Sequence, residues 1–298
     1  MEFLKKNSGI AMLLMVLVVT ACSTSKVVIT KLELATQAEA EGNYNGATEA
    51  WSSYFDEQLT KGREILAESY ARAGKTAVKA GRTELAESWM SKARRDGYSD
   101  PEMELELARI YRSRNELPKE LSTLEIFKSK YPENQGVEEV NGRLFKIYSM
   151  LKDDQKAKVI WIYLTDKQRQ DKEFLEDYFK IVAKRNDMVE TISVAKELVK
   201  ADSNNVAALE WLAQTYYNRA ENSYQAEMAA YKQTHTHLQY LHLTQELKVI
   251  NANFQESLEY FTKLWEIEQK AAYAAYISNI YTRFDNKQKA DYFRKFVQ

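Results

Sequence analysis

The 298-residue sequence has one cysteine, three prolines and nine glycines, and each of these low counts excludes something. A lone cysteine, Cys22, can form neither an intrachain disulfide nor a cysteine-rich zinc site. No proline or glycine follows Gly142, so the second half of the chain lacks both of the residues that interrupt helices. The sequence therefore predicts almost continuous helix beyond residue 142.

The chain also lacks an excess of either charge. Its 42 lysines and arginines balance 43 aspartates and glutamates, which gives a formal net charge of -1. Because the charges cancel, no overall field attracts nucleic acid or an anionic surface, and we expect no nucleic-acid partner. Any recognition by charge must be local.

The segment 1–22 has the layout of a secretion signal. Two lysines precede an apolar run over 10–19, which is too short to span a bilayer, and small residues follow it. Val19-Thr20-Ala21-Cys22 resembles the lipobox of bacterial lipoproteins, in which the cysteine is acylated and becomes the first residue. The alternative is an ordinary signal peptide that is cleaved near a chance cysteine.

This resemblance implies a lipoprotein signal peptide over 1–21, lipidation at Cys22 and a short tether over 22–29. Two or three acyl chains anchor a protein stably where a single chain is marginal. Ser23, rather than an aspartate after the cysteine, favours delivery to the outer membrane. We therefore expect a chain that is lipid-anchored in the bacterial cell envelope, at the outer membrane and facing the periplasm.

The rest of the chain repeats. After a turn, each unit places a small residue four positions before a large apolar one, as in Gly42, Tyr44, Ala47 and Trp51. The small-residue positions recur with the same spacing at 86 and 120 and at 157 and 191, with Glu120 and Thr191 as departures. The fifth unit includes Asn186. This pattern and its period resemble the tetratricopeptide repeat (TPR), and the resemblance implies an all-α fold, a right-handed TPR-like α-solenoid with repeats over 30–205.

The sixth unit does not turn where expected, near Ala220. Apolar residues continue in steps of three and four, which predicts two long helices over 206–233 and 238–268 with a tip at 234–237. This extended hairpin, within a repeat over 206–268, should project very roughly 15–20 Å beyond the array. A last unit over 269–298 is expected to form the C-terminal cap.

No group of residues points to catalysis. The three histidines, His235, His237 and His242, fall near the predicted tip, and on a helix His237 points away from the other two. They therefore predict no three-ligand metal site. No histidine is matched with a nucleophile and a carboxylate, so we expect neither enzymatic activity nor a cofactor. An envelope hydrolase would instead require activity that depends on a histidine.

The TPR resemblance does imply a candidate binding site. Positions nine and twelve or thirteen of each first helix face the groove in this family, and basic residues occupy them: Lys75, Lys79, Arg109, Arg112, Lys146, Lys180 and Lys184. Such a ladder is suited to a peptide partner with an acidic segment. In the other interpretation, acidic residues lie at the start of these helices and basic residues at their end because the helix dipole favours that order. The sequence leaves both interpretations open.

Together these features predict a membrane-anchored TPR scaffold or adaptor lipoprotein that mediates protein–protein interactions in the cell envelope. The architecture resembles the repeat lipoprotein subunit of outer-membrane barrel-assembly machinery. The alternative is a glycan-binding helical-repeat lipoprotein of an outer-membrane uptake system. Those proteins carry the sugar site on long loops, whereas the loops predicted here are short.

Overall fold

The computed structural model describes residues 29–185 and 187–297, and the regular structure of these residues is entirely helical. The predicted signal peptide, Cys22 and all but the last residue of the tether lie outside the described residues, as does Asn186. The helices are α1 (Lys31–Ala40), α2 (Tyr44–Thr60), α3 (Ala67–Lys79), α4 (Thr83–Arg95), α5 (Pro101–Ser113), α6 (Leu117–Lys130), α7 (Val137–Met150), α8 (Asp154–Trp161), α9 (Asp166–Gln170), α10 (Lys172–Val182), α11 (Met188–Ala201), α12 (Val206–Gln233), α13 (His237–Ile267), α14 (Ala271–Arg283) and α15 (Lys287–Arg294).

Local sequence explains where the hairpins turn. In five hairpins the C-cap residue of the first helix is followed by a residue in the left-handed conformation, which costs glycine nothing sterically, as at Gly42 with φ 73° and Gly81 with φ 71°. Asn115, Lys152 and Asp285 take the same conformation at φ 54–58°. Lysine has no local hydrogen bond to offset the cost of this conformation, so residue type alone does not mark a turn at Lys152.

Side-chain caps begin several of the second helices. The Asn43 side chain accepts a hydrogen bond from the Gly46 amide at 3.0 Å, and Asp153 accepts one from the Lys156 amide at 3.1 Å. Asn286 does the same for α15. Each cap satisfies an amide that has no partner inside the helix, so the turn and the following helix start are fixed together.

The chain divides into two compact units, and the boundary between them along the sequence lies between Ala93 and Arg94. In the first unit, two antiparallel hairpins pack through the predicted small residues. Ala47 and Ala86 are fully buried, and Trp51 is only 1 % exposed. Phe55 joins the hairpins, because its ring lies 4.4 Å from Tyr70 and 5.3 Å from Trp89 between ring centroids.

The second unit continues the pattern with α5–α6, α7–α8, α10–α11, α12–α13 and α14–α15, each packed against its neighbour. Ala157 and Thr191, at small-residue positions, are buried. Trp161 is half-buried and stacks on Tyr178 with a centroid distance of 3.9 Å. The sequence did not predict α9, a short helix whose Thr165 and Gln168 form a reciprocal cap.

The extended hairpin is confirmed. It consists of α12 with 28 residues and α13 with 31, about twice the length of most other helices. The connection at 234–236 lies within one residue of the predicted tip. No helix in the described ranges is both long and apolar enough to cross a membrane.

The prediction of an all-α, TPR-like helical array is therefore confirmed for the part of the chain that the structure describes. The boundary between the compact units falls inside the predicted repeat segment 30–205. It does not bear on the predicted segment bounds, which stay a prediction.

Candidate functional site

An open groove of about 570 Å³ lies in the second unit, on the side that the first helices of its hairpins form. We call it the A-face groove, and α5, α7, α9 and α10 line it. Its lining residues are Arg112, Glu139, Gly142, Arg143, Lys146, Met150, Gln168, Glu173, Phe174 and Asp177. Two of the predicted binding residues, Arg112 and Lys146, are among them.

The repeat period explains why charged residues meet here. Arg112, Lys146 and Lys180 are equally spaced along the chain, one repeat period apart, so they occupy equivalent turns of α5, α7 and α10. A second series with the same spacing contains Arg109 and Arg143. Equivalent positions on stacked helices face the same side, and a ladder of charge results.

The ladder is matched by acids of the same chain. Lys146 Nζ lies 3.0 Å from Asp177 Oδ2 and 3.7 Å from Glu173 Oε2. It also lies 4.6 Å from the centroid of the Phe174 ring, a cation–π contact. The Lys146 side chain is 24 % exposed, so α10 holds it against the wall of the groove.

Three other predicted binding residues are also paired. Arg109 donates to Glu139 at 3.1 and 2.5 Å, and this hydrogen bond is the main reason that the pKa of Arg109 is raised. Lys180 Nζ is 3.3 Å from Asp177, and Lys184 Nζ is 3.0 Å from Asp154. Most of these pairs connect neighbouring hairpins, so the ladder contributes to the contacts between repeats.

Arg112 differs from these residues. It is exposed, and its guanidinium makes no hydrogen bond or ion pair to any residue that the structure describes. The groove therefore presents one cation that has not been neutralised by the chain itself. An incoming carboxylate can reach Arg112 without displacing an intrachain partner.

The remaining two predicted residues belong to the first unit. Lys79 Nζ lies 5.5 Å from the centroid of the Tyr44 ring, and Lys75 is half-buried on α3. The other five predicted residues, from Arg109 onward, belong to the second unit. The assignment of these residues as a binding site stays a prediction.

Apolar groove residues were missed by the sequence analysis. Met150 is 58 % exposed at the end of α7, and half-buried Phe174 stacks on Phe145 with a centroid distance of 5.6 Å. Nothing in the sequence distinguishes them from core residues. Arg143 was also missed, although its position one repeat period after Arg109 was a usable signal.

The three histidines are exposed at the end of the long hairpin. His242 Nε2 lies 3.6 Å from Glu227 Oε2, and its Nδ1 lies 4.0 Å from Glu246 Oε1. The two carboxylates face different ring nitrogens, so they do not converge with His242 on one point. Among the described residues, no group of three or more His, Cys, Asp or Glu side chains is placed to hold a metal ion.

No protein-family model matches the sequence, and no curated protein matches it significantly. Among solved structures, the chain is similar to YrrB, a TPR protein with an unusual peptide-binding site, at 12 % identity and a TM-score of 0.44. That match covers 60 % of this chain and 89 % of YrrB.

Two further solved structures are similar over most of the chain. A tetratricopeptide repeat protein from Parabacteroides merdae matches at 13 % identity, 90 % coverage of each chain and a TM-score of 0.41. The C-terminal part of a TPR protein from Cytophaga hutchinsonii matches at 12 % identity and a TM-score of 0.39, covering 88 % of this chain and 92 % of that one. These TM-scores are below 0.5, so the fold assignment rests on the packing within this chain. On that packing, the described residues form an array of TPR-like helical hairpins.

Proposed function

We propose that the chain is a scaffold of the bacterial cell envelope that binds an extended segment of a partner protein in the A-face groove. The observation that carries this proposal is the position of Arg112, an exposed cation without an intrachain carboxylate in a groove that also exposes Met150. A groove between successive helices suits an extended segment, because neighbouring repeats contact successive parts of the ligand.

The chemistry of the groove defines the segment. A carboxylate of the partner pairs with Arg112, since a guanidinium presents two parallel donors to a carboxylate. An apolar side chain next to it packs on Met150 and Phe174. Lys146 contributes less than the sequence analysis predicted, because binding through it would have to replace its contact with Asp177.

Anchoring is the second part of the proposal. The lipobox-like Val19-Thr20-Ala21-Cys22 and the apolar run before it support acylation at Cys22. The first described helix starts at Lys31, so few residues separate the cysteine from the folded array. Acylation would concentrate the scaffold at a membrane, where its partner in an envelope assembly is held.

Partner capture tests the groove. The intact chain is purified from membranes of its bacterial host after mild cross-linking, and co-purifying proteins are quantified by mass spectrometry. Arg112→Glu is expected to lower recovery of the main partner at least fivefold, and Met150→Asp is expected to lower it as well. Arg294→Glu is the matched control, because Arg294 is 61 % exposed on α15 and outside the groove. Equal recovery with Arg112→Glu and Arg294→Glu would reject the groove but not the scaffold.

Metabolic labelling tests the anchor. Cells are grown with an alkynyl fatty acid, and the chain is isolated and probed for the label. We expect label on the native chain and none on Cys22→Ser, which should also leave the membrane fraction. A labelled Cys22→Ser chain, or an unlabelled native chain, would contradict acylation at this cysteine.

The glycan-binding alternative receives no support from the connections. The longest connections between described helices, 61–66 and 131–136, are short. Neither presents an extended loop that could carry a sugar site. Binding of the purified chain to a glycan array would nevertheless favour that function over the scaffold.

A further inference from the structure

The end of the extended hairpin exposes apolar side chains. We define the hairpin tip as residues 228–245, which includes the last turns of α12, the connection and the first turns of α13. The exposed fractions of Leu238, Tyr240 and Leu241 are 77 %, 53 % and 50 %. Leu238 and Leu241 are three positions apart on α13, so they lie on the same side of the helix and form one patch, with Tyr240 beside Leu241 at its edge.

No other helix of the described chain covers this patch. The hairpin packs on α14 as far as Tyr224, whose ring lies 4.2 Å from Arg283 Cζ. Beyond Tyr224 and Leu247, the ring contacts and ion pairs in the described part of the hairpin stay within the hairpin, as between Tyr231 and Tyr240. From Tyr224 to the end of α12 is about 14 Å at the helical rise. The tip therefore protrudes as a convex surface.

The charge of the tip has one sign. Residues 228–245 contain no aspartate or glutamate, whereas acids make up 43 of the 298 residues of the chain. The tip carries Lys232 and all three histidines. The nearest acids, Glu227 and Glu246, lie at its base and face His242. The tip complements a negatively charged surface.

Local bonds satisfy several backbone groups at the tip. The Gln239 amide donates to Thr236 Oγ1 at 3.2 Å, and the Tyr240 amide donates to the Thr236 carbonyl at 3.0 Å. The Thr234 hydroxyl donates to the Ala230 carbonyl at 3.3 Å. Each of these bonds lowers the cost of moving a polar group of the connection out of water.

We propose that the hairpin tip inserts into the surface of a membrane that contains anionic lipids. Leu238 and Leu241 enter the region between the headgroups and the acyl chains, and Tyr240 lies at the headgroup level, where an apolar ring with a polar hydroxyl is favoured. Lys232, His235 and His237 face the lipid phosphates. A protruding surface can enter a deformable lipid layer without a matching shape. A protein partner would instead need a concave surface that fits the tip.

A fluorescent label that reports only on the tip tests this proposal. The full chain with Cys22→Ala, which is not acylated, receives a single new cysteine at Gln233→Cys for an environment-sensitive dye. Vesicles of phosphatidylglycerol and phosphatidylcholine, or of phosphatidylcholine alone, are then added. The same dye at Lys200→Cys, a side chain that is 79 % exposed on α11, serves as the control for binding elsewhere on the chain.

We expect a blue shift with the anionic vesicles at position 233 and none at position 200. Leu238→Asn with Leu241→Asn should weaken this response roughly tenfold or more, because both side chains lose their transfer into lipid. Val249→Asn, a change of the same kind at a 57 % exposed residue outside the tip, should leave the response unchanged. Circular dichroism shows whether each variant retains its helices.

Three results would overturn the proposal. The first is an absent shift at position 233, or one of equal size on vesicles of phosphatidylcholine alone. The second is an undiminished shift in the Leu238→Asn, Leu241→Asn variant. The third is a shift that appears without lipid as protein concentration rises, which would assign the patch to a second copy of the chain. None of these results bears on the A-face groove or on Cys22, since the dye reports only on the tip.

Discussion

Glu120 provides the sharpest test of how the repeats are held together. It occupies a position where the repeat pattern places a small residue, and its side chain is only 2 % exposed. Its carboxylate accepts hydrogen bonds from Arg143 Nε at 2.6 Å and from Nη2 at 2.8 Å. The pKa of Arg143 is raised chiefly by this hydrogen bond. A residue that departs from the repeat pattern therefore ties α6 to α7.

Glu120→Ala restores the small residue of the repeat pattern, yet we expect it to destabilise the second unit. Removing one partner of a fully buried ion pair costs about 3–5 kcal/mol, because the other charge is left buried alone. Arg143 is 23 % exposed, so water compensates part of this loss. We therefore expect the free energy of unfolding to fall by about 2–3 kcal/mol.

Urea denaturation followed by circular dichroism measures the change. Because arrays of repeats can unfold in stages, hydrogen exchange of the amides in α6 and α7 should accompany it. A double-mutant cycle with Arg143→Met isolates the pair, and we expect a coupling of about 1–3 kcal/mol. Asp291→Ala is the matched control for an exposed pair, since Asp291 and Arg294 are both more than 60 % exposed. It should change stability by less than about 0.5 kcal/mol.

The reasoning fails if Glu120→Ala is neutral or stabilising. In that case the free energy gained by packing the alanine methyl group exceeds the cost of leaving the Arg143 guanidinium unpaired. The small residue of the repeat pattern would then be sufficient at this position. A loss of the same size in the presence and absence of Arg143→Met would also refute it, because the cost would then come from packing and not from the ion pair.

Two other predictions concern packing and pH. Gly74→Ala should lower stability by about 1–2 kcal/mol, because the new Cβ would overlap Met90 Cγ and approach the Ala86 carbonyl at 3.2 Å, which outweighs the gain in helix propensity. Gly142→Ala should be neutral or stabilising, since only the end of the Gln168 side chain has to move. Thermal melts of both variants measure the two changes. Burial raises the pKa of Glu190, but hydrogen bonds from Lys158 and Tyr178 lower it by more than burial raises it. The net result is a pKa below the ordinary 4.5. The ionised Glu190 therefore stabilises the fold above pH 4.5, and this stabilisation is lost as the pH falls and the carboxylate is protonated. Glu190→Gln should flatten the acid side of a plot of stability against pH. An unchanged acid side would contradict this.

Much of the fold could be predicted from the sequence, because local chemistry determines it. Gly42 and Asn115 mark hairpin turns since they tolerate the left-handed conformation, and the absence of glycine and proline after residue 142 predicted the long helices. The apolar steps of three and four placed the tip of the extended hairpin within one residue. These features depend on neighbours within a few positions.

The candidate site depended on tertiary structure. The sequence showed which residues form the basic ladder but not their partners, because Lys146 pairs with Asp177 and Arg109 with Glu139, each on the first helix of the next hairpin. Whether such residues meet depends on the rotation and offset of one helix against the next, which a small shift changes. For the same reason, only the structure distinguished Arg112, which has no intrachain carboxylate, from Arg143, which holds a buried one. Local chemistry determined the hairpins, and the packing between them decided which charges remain available to a partner.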